Sequence, residues 1–361
     1  MTLRHANGDT PVVVGNGAMQ GFAPEIGDWV RNRSLFVVTT PRVWGLHGES
    51  LEPVLQEASR WRYLEVPDGE AAKSIAVAER LWDRMLEEGG KRDSRVIAFG
   101  GGAVGDVAGF AAGCFLRGVS ILQLPTTLLA QVDAAIGGKT GINLAAAKNS
   151  VGMFCQPWAV VADTKYLATL PREELRAGLL EVVKTGVILD SVLFDRVAAD
   201  LDTLLEGDPE ALAPIVAGAA AAKIEVVEKD PAEKDLRRLL NFGHTLGHAL
   251  ETQAGYRFLR HGEAVGYGML FALRLAVRRG LRLDDADRIR RLLIRFHLPS
   301  LPEMDPEELL HLMARDKKAR EEGLFWVLPT TIGKARITAE VEGKEVLSEL
   351  EGFLDDPGSD F

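Results

Sequence analysis

A glycine-rich turn between a strand and a helix limits the folds open to this chain. The apolar run Arg95 to Phe99 is followed directly by Gly100-Gly101-Gly102-Ala103-Val104-Gly105. A G-x-G-x-x-G turn at a strand-to-helix junction is typical of α/β domains whose backbone N–H groups bind a diphosphate. The acid that the standard dinucleotide motif needs about 20 residues later is missing, because Val107 to Val132 contains no acid. We interpret the motif as a variant diphosphate-binding turn, with a tight turn that binds no ligand as the alternative.

The surrounding sequence predicts a parallel α/β domain followed by a helical domain. Short β-branched runs alternate with helical apolar spacing up to Leu170, which is the pattern of a parallel sheet covered by helices. From Pro171 to Arg320 strand signals nearly vanish, and a late hairpin is predicted from Phe325–Leu328 and Lys334–Thr338. We therefore expect an α/β domain over residues 1–170 and an all-α domain over residues 171–361.

Charge and composition exclude several classes of partner. The chain has 361 residues, and 52 acids against 42 bases give a net charge of −10, which disfavours general nucleic-acid binding. Neither a signal peptide nor an apolar run of membrane-spanning length is found, so we expect a cytoplasmic protein without a membrane partner. The two cysteines, Cys114 and Cys155, lie in apolar contexts that predict buried thiols in a reducing compartment.

Three of the seven histidines lie in two neighbouring glycine-rich segments, LLNFGHTLGHALE and HGEAVGYGM. On a helix, His244 and His248 would share one face, and His261 follows after a short loop. Such imidazoles can hold a divalent metal with one coordination position open, whereas structural histidines are the alternative. The glycines favour the metal, because they weaken a helix unless a backbone must approach a ligand closely.

Further polar residues lie in otherwise apolar segments. Asp133 and Lys139 belong to PTTLLAQVDAAIGGKTGIN, followed by the pair Lys148-Asn149. Burying Asp133 without a partner would be costly, so we predict a site role. In LLEVVKTG, Glu181 and Lys184 are flanked by apolar residues, which makes Glu181 a candidate third metal ligand rather than half of a surface ion pair. Individually, Lys223, Arg237 and Asp316-Lys317-Lys318 are most simply solvated charges.

Taken in order, these motifs resemble the 3-dehydroquinate synthase family. The resemblance runs from PDGEAAKS at Pro67 to DKK at Asp316, through GGGAVGD, FLRG, PTTLLAQVDAAIGGKTGIN, KNSVGMF, TLPREELRAGLLEVVKTG, LLNFGHTLGHALE and HGEAVGYGM. It implies a Rossmann-like NAD-binding α/β domain over residues 1–170, an all-α metal- and substrate-binding domain over residues 171–361, and a homodimer. It also implies that one divalent ion, zinc or cobalt, is held by Glu181, His244 and His261, while His248 meets the substrate instead of the metal.

Other site residues are implied by the same resemblance. The NAD contacts fall on Asp68, Gly69, Glu70, Lys73, Gly102, Ala103, Val104, Gly105, Asp106, Thr126, Thr127, Lys139, Lys148, Tyr166, Leu167, Ala168 and Thr169. The substrate contacts fall on Asp133, Lys139, Asn149, Lys184, Lys223, Arg237, Asn241, His248 and one of Lys317 or Lys318, with Arg117 reaching the site of a partner subunit.

The family's reaction converts 3-deoxy-D-arabino-heptulosonate 7-phosphate into 3-dehydroquinate and phosphate. It proceeds by oxidation, phosphate β-elimination, reduction and aldol closure, and NAD is regenerated. Two departures are visible: Thr39-Thr40-Pro41 stands where the family commonly has an acid or Asn for the adenosine ribose, and LAAAKN lacks the usual glycine before its lysine. The alternatives are another sugar-phosphate cyclase (a valiolone, deoxyinosose or aminodehydroquinate synthase), a metal-dependent polyol dehydrogenase, or a paralogue that binds NAD and metal without catalysis.

Overall fold

The computed structural model describes residues 1–144, 147–255, 258–315 and 324–359. The strands are β1 Thr2–His5, β2 Gly8–Gly15, β3 Ser34–Thr39, β4 Arg60–Glu65, β5 Arg95–Gly100, β6 Ser120–Pro125, β7 Lys139–Leu144, β8 Ala147–Phe154, β9 Ala159–Asp163, β10 Trp326–Thr331 and β11 Lys334–Thr338. The helices are α1 Ala18–Gly21, α2 Ala23–Val30, α3 Pro41–His47, α4 Glu52–Leu55, α5 Ile75–Glu87, α6 Gly102–Cys114, α7 Arg172–Leu189, α8 Ser191–Glu206, α9 Pro209–Lys229, α10 His244–Gln253, α11 His261–Val277, α12 Leu283–Ile294, α13 Pro306–Arg315 and α14 Gly343–Asp355.

The chain forms two compact units, each built from two segments. The first unit contains Met1–Leu175 and Thr203–Pro231, and the second contains Arg176–Asp202 and Ala232–Phe361. The predicted boundary at Leu170–Pro171 and the binding roles given to its two sides stay predictions. In the described parts of the chain, no helix is both long and apolar enough to cross a membrane.

A seven-stranded sheet forms the centre of the first unit. Its order is β1-β2-β9-β6-β5-β3-β4, and all neighbours are parallel except the antiparallel pair β1 and β2. Alternate residues of β3 point to opposite faces. Phe36 and Val38 pack with residues of α5 and α6, whereas Leu35 and Val37 pack with residues of α2 on the other face. The predicted parallel α/β architecture is therefore confirmed.

Helix α5 illustrates how the sequence specifies the layer on the sheet. The Ser74 hydroxyl caps the helix by accepting a hydrogen bond from the Val77 N–H at 3.3 Å. Val77, Ala78, Leu81 and Met85 recur at helical spacing and are buried. Burial of Leu81 and Met85 contributes roughly 1.5–3 kcal/mol each. The helix thus covers the sheet beside the strand that leads into the glycine-rich turn.

Helix α11 is the central element of the second unit. Every residue from Gly262 to Leu273 is buried, so the helix is surrounded by protein over most of its length. It starts with a cap in which the Glu263 carboxylate accepts a hydrogen bond from the Arg260 N–H at 2.9 Å. The cap fixes the first turn of the helix and therefore the position of His261. The predicted hairpin is also confirmed, because β10 and β11 pair antiparallel in this unit.

Two features of the first unit differ from the sequence expectations. The segment after Asp133 forms an antiparallel ribbon of β7 and β8, two strands that were not predicted. The predicted burial of Cys114 is wrong, and Cys155 is only half-buried. Cys114 is the last residue of α6, where the helix reaches the surface, and its thiol lies 3.8 Å from the Met153 sulfur. An apolar sequence context therefore did not indicate burial at a helix end.

Candidate functional site

A buried acid and a buried base lie together on α7. Glu181 is 1% exposed and Lys184 is 2% exposed, and the Lys184 ammonium is 2.5 Å from Glu181 Oε2. The flanking residues Leu179, Leu180, Val182 and Val183 are fully buried, which confirms that this is not a surface pair. Over the described residues, neither carboxylate oxygen of Glu181 has a hydrogen bond of acceptable geometry. A buried carboxylate oxygen that accepts no hydrogen bond is open to a further partner.

Two imidazole rings face the Glu181 carboxylate. His244 begins α10 and its Nε2 is 3.8 Å from Glu181 Oε1, while His261 begins α11 and its Nε2 is 3.6 Å from the same oxygen. The ring centroids are 5.1 Å apart. Gly243 precedes α10 in the left-handed region, at φ 78°, and Gly268 of α11 packs against its backbone. Close approach of the two helices therefore brings the two rings together.

The surroundings give the two rings different proton affinities. Burial, followed by the charge of Lys184, lowers the pKa of His244 well below its usual value. Burial also acts to lower the pKa of His261, but the Glu251 hydrogen bond and the charges of Glu181 and Glu251 outweigh it, and that pKa is raised. His244 is therefore held neutral, which leaves a lone pair available on the ring.

The donor set fits a divalent metal ion. One ligand atom from each of Glu181, His244 and His261 lies within 4.8 Å of the others. Ligands about 2.0–2.2 Å from a tetrahedral ion lie about 3.4 Å apart, close to the observed separations from Glu181 Oε1. Two imidazoles and one carboxylate are a common three-ligand set of catalytic zinc sites. Glu181 Oε1, which faces both imidazoles and accepts no hydrogen bond among the described residues, is the oxygen that such an ion would contact.

A second cluster shares one of these histidines. His248, Glu251 and His261 also place ligand atoms within 4.8 Å of one another. Glu251 is buried, and its Oε2 lies 3.1 Å from His261 Nδ1. Glu251 is not among the site residues predicted from the sequence, although its position three residues after His248 on one helix is a usable signal. The substrate role implied for His248 stays a prediction.

Other predicted substrate contacts of the second unit lie just before α10. Arg237 and Asn241 belong to the 3-10 helix Leu236–Asn241, and Arg237 is 2% exposed. The Asn241 amide donates to Glu233 Oε1 at 3.4 Å. Glu233 has φ 57° and was not selected from the sequence, where it was one of several acids in a charged turn. The predicted contacts Lys317 and Lys318 lie outside the described residues.

In the first unit, Asp133 and Lys223 form a close ion pair. Asp133 lies in a single π-helical turn, Ala130–Ala134, and Lys223 projects from α9. Single π-turns occur often at functional sites. The partner that Asp133 needs is therefore Lys223, which is itself a predicted substrate contact.

The glycine-rich turn has the packing expected of a dinucleotide motif. A Cβ on Gly105 would lie 2.8 Å from Gln123 Oε1, so the third glycine permits close contact between α6 and β6. Lys73 is buried and contacts both Asp106, at 2.5 Å, and the amide oxygen of Asn149. Burial raises the pKa of Asp106, and the charge of Lys73 opposes this rise. Lys73 and Asp106, both predicted to contact NAD, therefore form an ion pair next to Asn149, which is predicted to contact the substrate.

The remaining predicted contacts of the first unit are placed at strand ends and turns. The hydroxyls of Tyr166 and Ser50 share a hydrogen bond at 3.0 Å. The Thr169 hydroxyl is hydrogen-bonded to His47 Nε2 at 2.7 Å. The Thr40 hydroxyl accepts a hydrogen bond from Val43 N–H at 3.3 Å and caps α3. The others fall into five groups along the chain. Asp68, Gly69 and Glu70 follow β4, Gly102, Ala103 and Val104 belong to the glycine-rich turn, Thr126 and Thr127 follow β6, Lys139 and Lys148 lie in the β7–β8 ribbon, and Leu167 and Ala168 follow β9. Their roles stay predictions.

Comparison with known proteins agrees with this arrangement. A family profile described as 3-dehydroquinate synthase N-terminal matches residues 63–177, and one described as 3-dehydroquinate synthase C-terminal matches residues 178–319. A 3-dehydroquinate synthase of Symbiobacterium thermophilum is 44% identical over 353 residues, covering 95% of this chain and 97% of that protein.

Two solved structures are similar over nearly their whole length. A 2-epi-5-epi-valiolone synthase from Streptomyces hygroscopicus subsp. jinggangensis, with NAD+ and Zn2+ bound, has a TM-score of 0.87 and 29% identity, covering 96% of this chain and 97% of its own. A 2-deoxy-scyllo-inosose synthase complexed with carbaglucose-6-phosphate, NAD+ and Co2+ has a TM-score of 0.87 and 26% identity, covering 98% and 99%. The predicted resemblance and fold class are confirmed, and the chain belongs to the 3-dehydroquinate synthase family.

Proposed function

We propose that this chain converts 3-deoxy-D-arabino-heptulosonate 7-phosphate into 3-dehydroquinate and phosphate, using NAD and one zinc or cobalt ion. The observation that carries the proposal is the buried Glu181 carboxylate facing His244 and His261, in a chain 44% identical to a 3-dehydroquinate synthase. The NAD+ and Zn2+ or Co2+ bound to the two similar cyclases support the choice of cofactors.

The proposed metal ligands belong to the second unit, and the proposed NAD contacts belong to the first. Glu181, His244 and His261 hold the metal, and the glycine-rich turn with Lys73 and Asp106 holds the NAD. When bound, the metal supplies a Lewis acid that acidifies a substrate hydroxyl, and NAD supplies a hydride acceptor that is restored at the end of the cycle. Because the cofactor is regenerated, the chain's own residues have to retain the substrate throughout.

Cationic side chains bind the two anionic groups of the substrate. Arg237 is buried, so its guanidinium can form bidentate hydrogen bonds with a carboxylate away from water, and Asn241 adds an amide donor. In the first unit, Lys223 and Asp133 supply an ammonium and a carboxylate in direct contact. Lys139, Lys184 and Asn149, with Lys317 or Lys318, complete the proposed substrate contacts. These local charges offset a net charge of −10 that repels phosphate.

His248 is the proposed proton shuttle. Its ring lies 5.3 Å from that of His244 and 6.0 Å from that of His261, next to the proposed metal site but outside the Glu181 donor set. An imidazole is suited to this task because histidine is the side chain that most often serves as general acid or base in enzymes. It can accept the proton of a substrate hydroxyl and later return it.

The main alternative is another cyclase of related fold. The valiolone and inosose synthases are only 29% and 26% identical to this chain, whereas the 3-dehydroquinate synthase is 44% identical. Arg237 also favours a substrate that carries a carboxylate. The test supplies the metal-loaded protein and NAD with the heptulosonate phosphate, sedoheptulose 7-phosphate or glucose 6-phosphate, and identifies each product by mass spectrometry. Formation of dehydroquinate from the first substrate alone supports the proposal, and a cyclic product from either other sugar contradicts it.

We further propose that two copies of the chain associate through strand β8. Residues 148–154 of this strand are all exposed, and among the described residues β8 pairs only with β7. Val151 is 36% exposed, Met153 is 36% exposed and Phe154 is 54% exposed, which leaves an apolar edge strand in water. Such edges favour pairing with another chain. Arg117, proposed to reach the partner's site, lies in a strained turn at φ 71°.

Light scattering after gel filtration tests the dimer. We expect the wild-type mass to be twice 39.2 kDa and the Phe154→Glu variant to have the mass of one chain, because a charge on the apolar edge would be desolvated on association. Leu283→Glu is the control, since Leu283 is 61% exposed on α12, far along the chain from β8. A wild-type monomer, or a Phe154→Glu variant that remains dimeric, contradicts the proposal.

A cytoplasmic location is proposed on the chemistry of the thiols. Cys114 and Cys155 are both unpaired in the structure. Unpaired thiols, one of them exposed, persist most readily in a reducing compartment.

A further inference from the structure

Each proposed histidine ligand turns one ring nitrogen towards Glu181 and the other towards a hydrogen-bond acceptor. For His244, Nδ1 lies 3.1 Å from the Phe242 carbonyl oxygen. For His261, Nδ1 lies 3.1 Å from Glu251 Oε2. In both rings Nε2 is the atom nearest the Glu181 carboxylate. An Nδ1–H that donates to its acceptor leaves the lone pair on Nε2, which is the form that binds a metal.

The two acceptors differ in charge. The Phe242 carbonyl is neutral, whereas Glu251 is a carboxylate that is itself 7% exposed. A hydrogen bond to a charged acceptor in a buried site is roughly twice as strong as one to a neutral acceptor. It also makes the imidazole a stronger electron donor to a metal on its other nitrogen. His261 therefore has the stronger hydrogen-bond acceptor at Nδ1. It is also the more exposed of the two rings.

We propose that Glu251 is a positioning residue that orients His261, fixes its Nε2 lone pair towards Glu181 and strengthens metal binding. It acts through His261 and touches neither the ion nor the substrate. The position of Glu251 supports this role. It lies on α10 two turns after the ligand His244, and its carboxylate contacts His261, the first residue of α11. This inference rests on the proposed metal site.

Glu251 could instead be a ligand of a second ion, together with His248 and His261. That arrangement would require metals on both nitrogens of His261 and hence a ring without any proton. Removing the second proton from an imidazole is far less favourable than donating it to a carboxylate. The observed 3.1 Å separation is a normal hydrogen-bond length, so the geometry favours the positioning role.

Cobalt titration of the metal-stripped full-length protein tests the inference. The variants are Glu251→Gln, which keeps an acceptor oxygen without the charge, and Glu251→Leu, which removes the acceptor. Competition with a chelator gives the Co2+ affinity, and the visible spectrum reports the ligand field. Glu351→Gln is the matched control, because Glu351 is an exposed acid on α14 of the same unit.

We expect wild type and Glu351→Gln to bind one Co2+ per chain with the same spectrum. The affinity should fall about 10- to 100-fold in Glu251→Leu, with a smaller fall in Glu251→Gln, and both spectra should change. Circular dichroism of the metal-free variants shows whether the fold is retained, and the spectrum of Glu251→Gln at saturating Co2+ reports the ligand field independently of the affinity.

Three outcomes separate the possibilities. Wild-type affinity and an unchanged spectrum in both variants overturn the role of Glu251 while leaving the metal site in place. Two Co2+ ions per wild-type chain, reduced to one in Glu251→Leu, overturn it in favour of a direct ligand. Failure of the wild-type chain to bind Co2+ overturns the proposed metal site itself.

Discussion

We expect the His244→Ala variant to lose its metal ion and to release phosphate about 10³-fold more slowly than wild type, or slower still. A Lewis acid at a reacting oxygen is worth several kcal/mol, and about 4 kcal/mol corresponds to a factor of 10³ in rate. His244 contributes one of three donors around Glu181, and two donors are too few for a stable catalytic site. The assay measures inorganic phosphate and, in parallel, the bound metal by elemental analysis.

The control for this variant is His311→Ala. His311 is an exposed histidine on α13 of the same unit, so its loss removes an imidazole without touching the donor set. We expect it to keep both metal and activity. A His244→Ala protein that retains one metal ion per chain and works within tenfold of wild type would show that His244 is not a ligand.

The second large effect is expected from Gly268→Ala. A Cβ on Gly268 would lie 1.8 Å from the Gly243 carbonyl oxygen and 2.7 Å from its carbonyl carbon. Both are backbone atoms and cannot rotate away, so α10 and α11 must separate. Overpacking of a well-packed core costs typically 1–3 kcal/mol, and here we expect about 3 kcal/mol or more. The free energy of unfolding, measured with urea on the metal-free protein, gives the loss directly.

Gly352→Ala provides the matched control for helix propensity. Gly352 lies in α14, and a Cβ there would have no atom within 4 Å. Alanine in an open helical position stabilises by roughly 0.5–1 kcal/mol. The two glycine substitutions should therefore shift the urea midpoint in opposite directions. An unchanged midpoint in Gly268→Ala would contradict the close helix contact that places His244 beside His261.

Periodicity predicted the parts of the fold that depend on local pattern. The strand before the glycine-rich turn was expected over Arg95–Phe99 and is β5, followed directly by α6. The flanking apolar residues correctly indicated that Glu181 and Lys184 are buried, because a polar pair with apolar neighbours on all sides of a helix has no route to solvent. Such inferences need only the residues within one or two turns.

Features that depend on distant contacts were not predictable in this way. Strands β7 and β8 are held by pairing with each other, and β8 remains exposed, so its apolar residues gave no alternating pattern. Cys114 was expected to be buried because its neighbours are apolar, but it ends a helix at the surface. Glu251 could not be assigned to His261, because the contact joins two helices across a loop.

The most direct test of the central claim follows phosphate and NADH together. The metal-loaded protein receives 3-deoxy-D-arabino-heptulosonate 7-phosphate with NAD at a small fraction of the substrate concentration, and the Glu181→Ala and His261→Ala variants are run beside it. We expect one phosphate per substrate without accumulation of NADH, and loss of this release in both variants. Steady accumulation of NADH without phosphate, or phosphate release that stops once the NAD has been used once, would contradict a self-contained redox cycle.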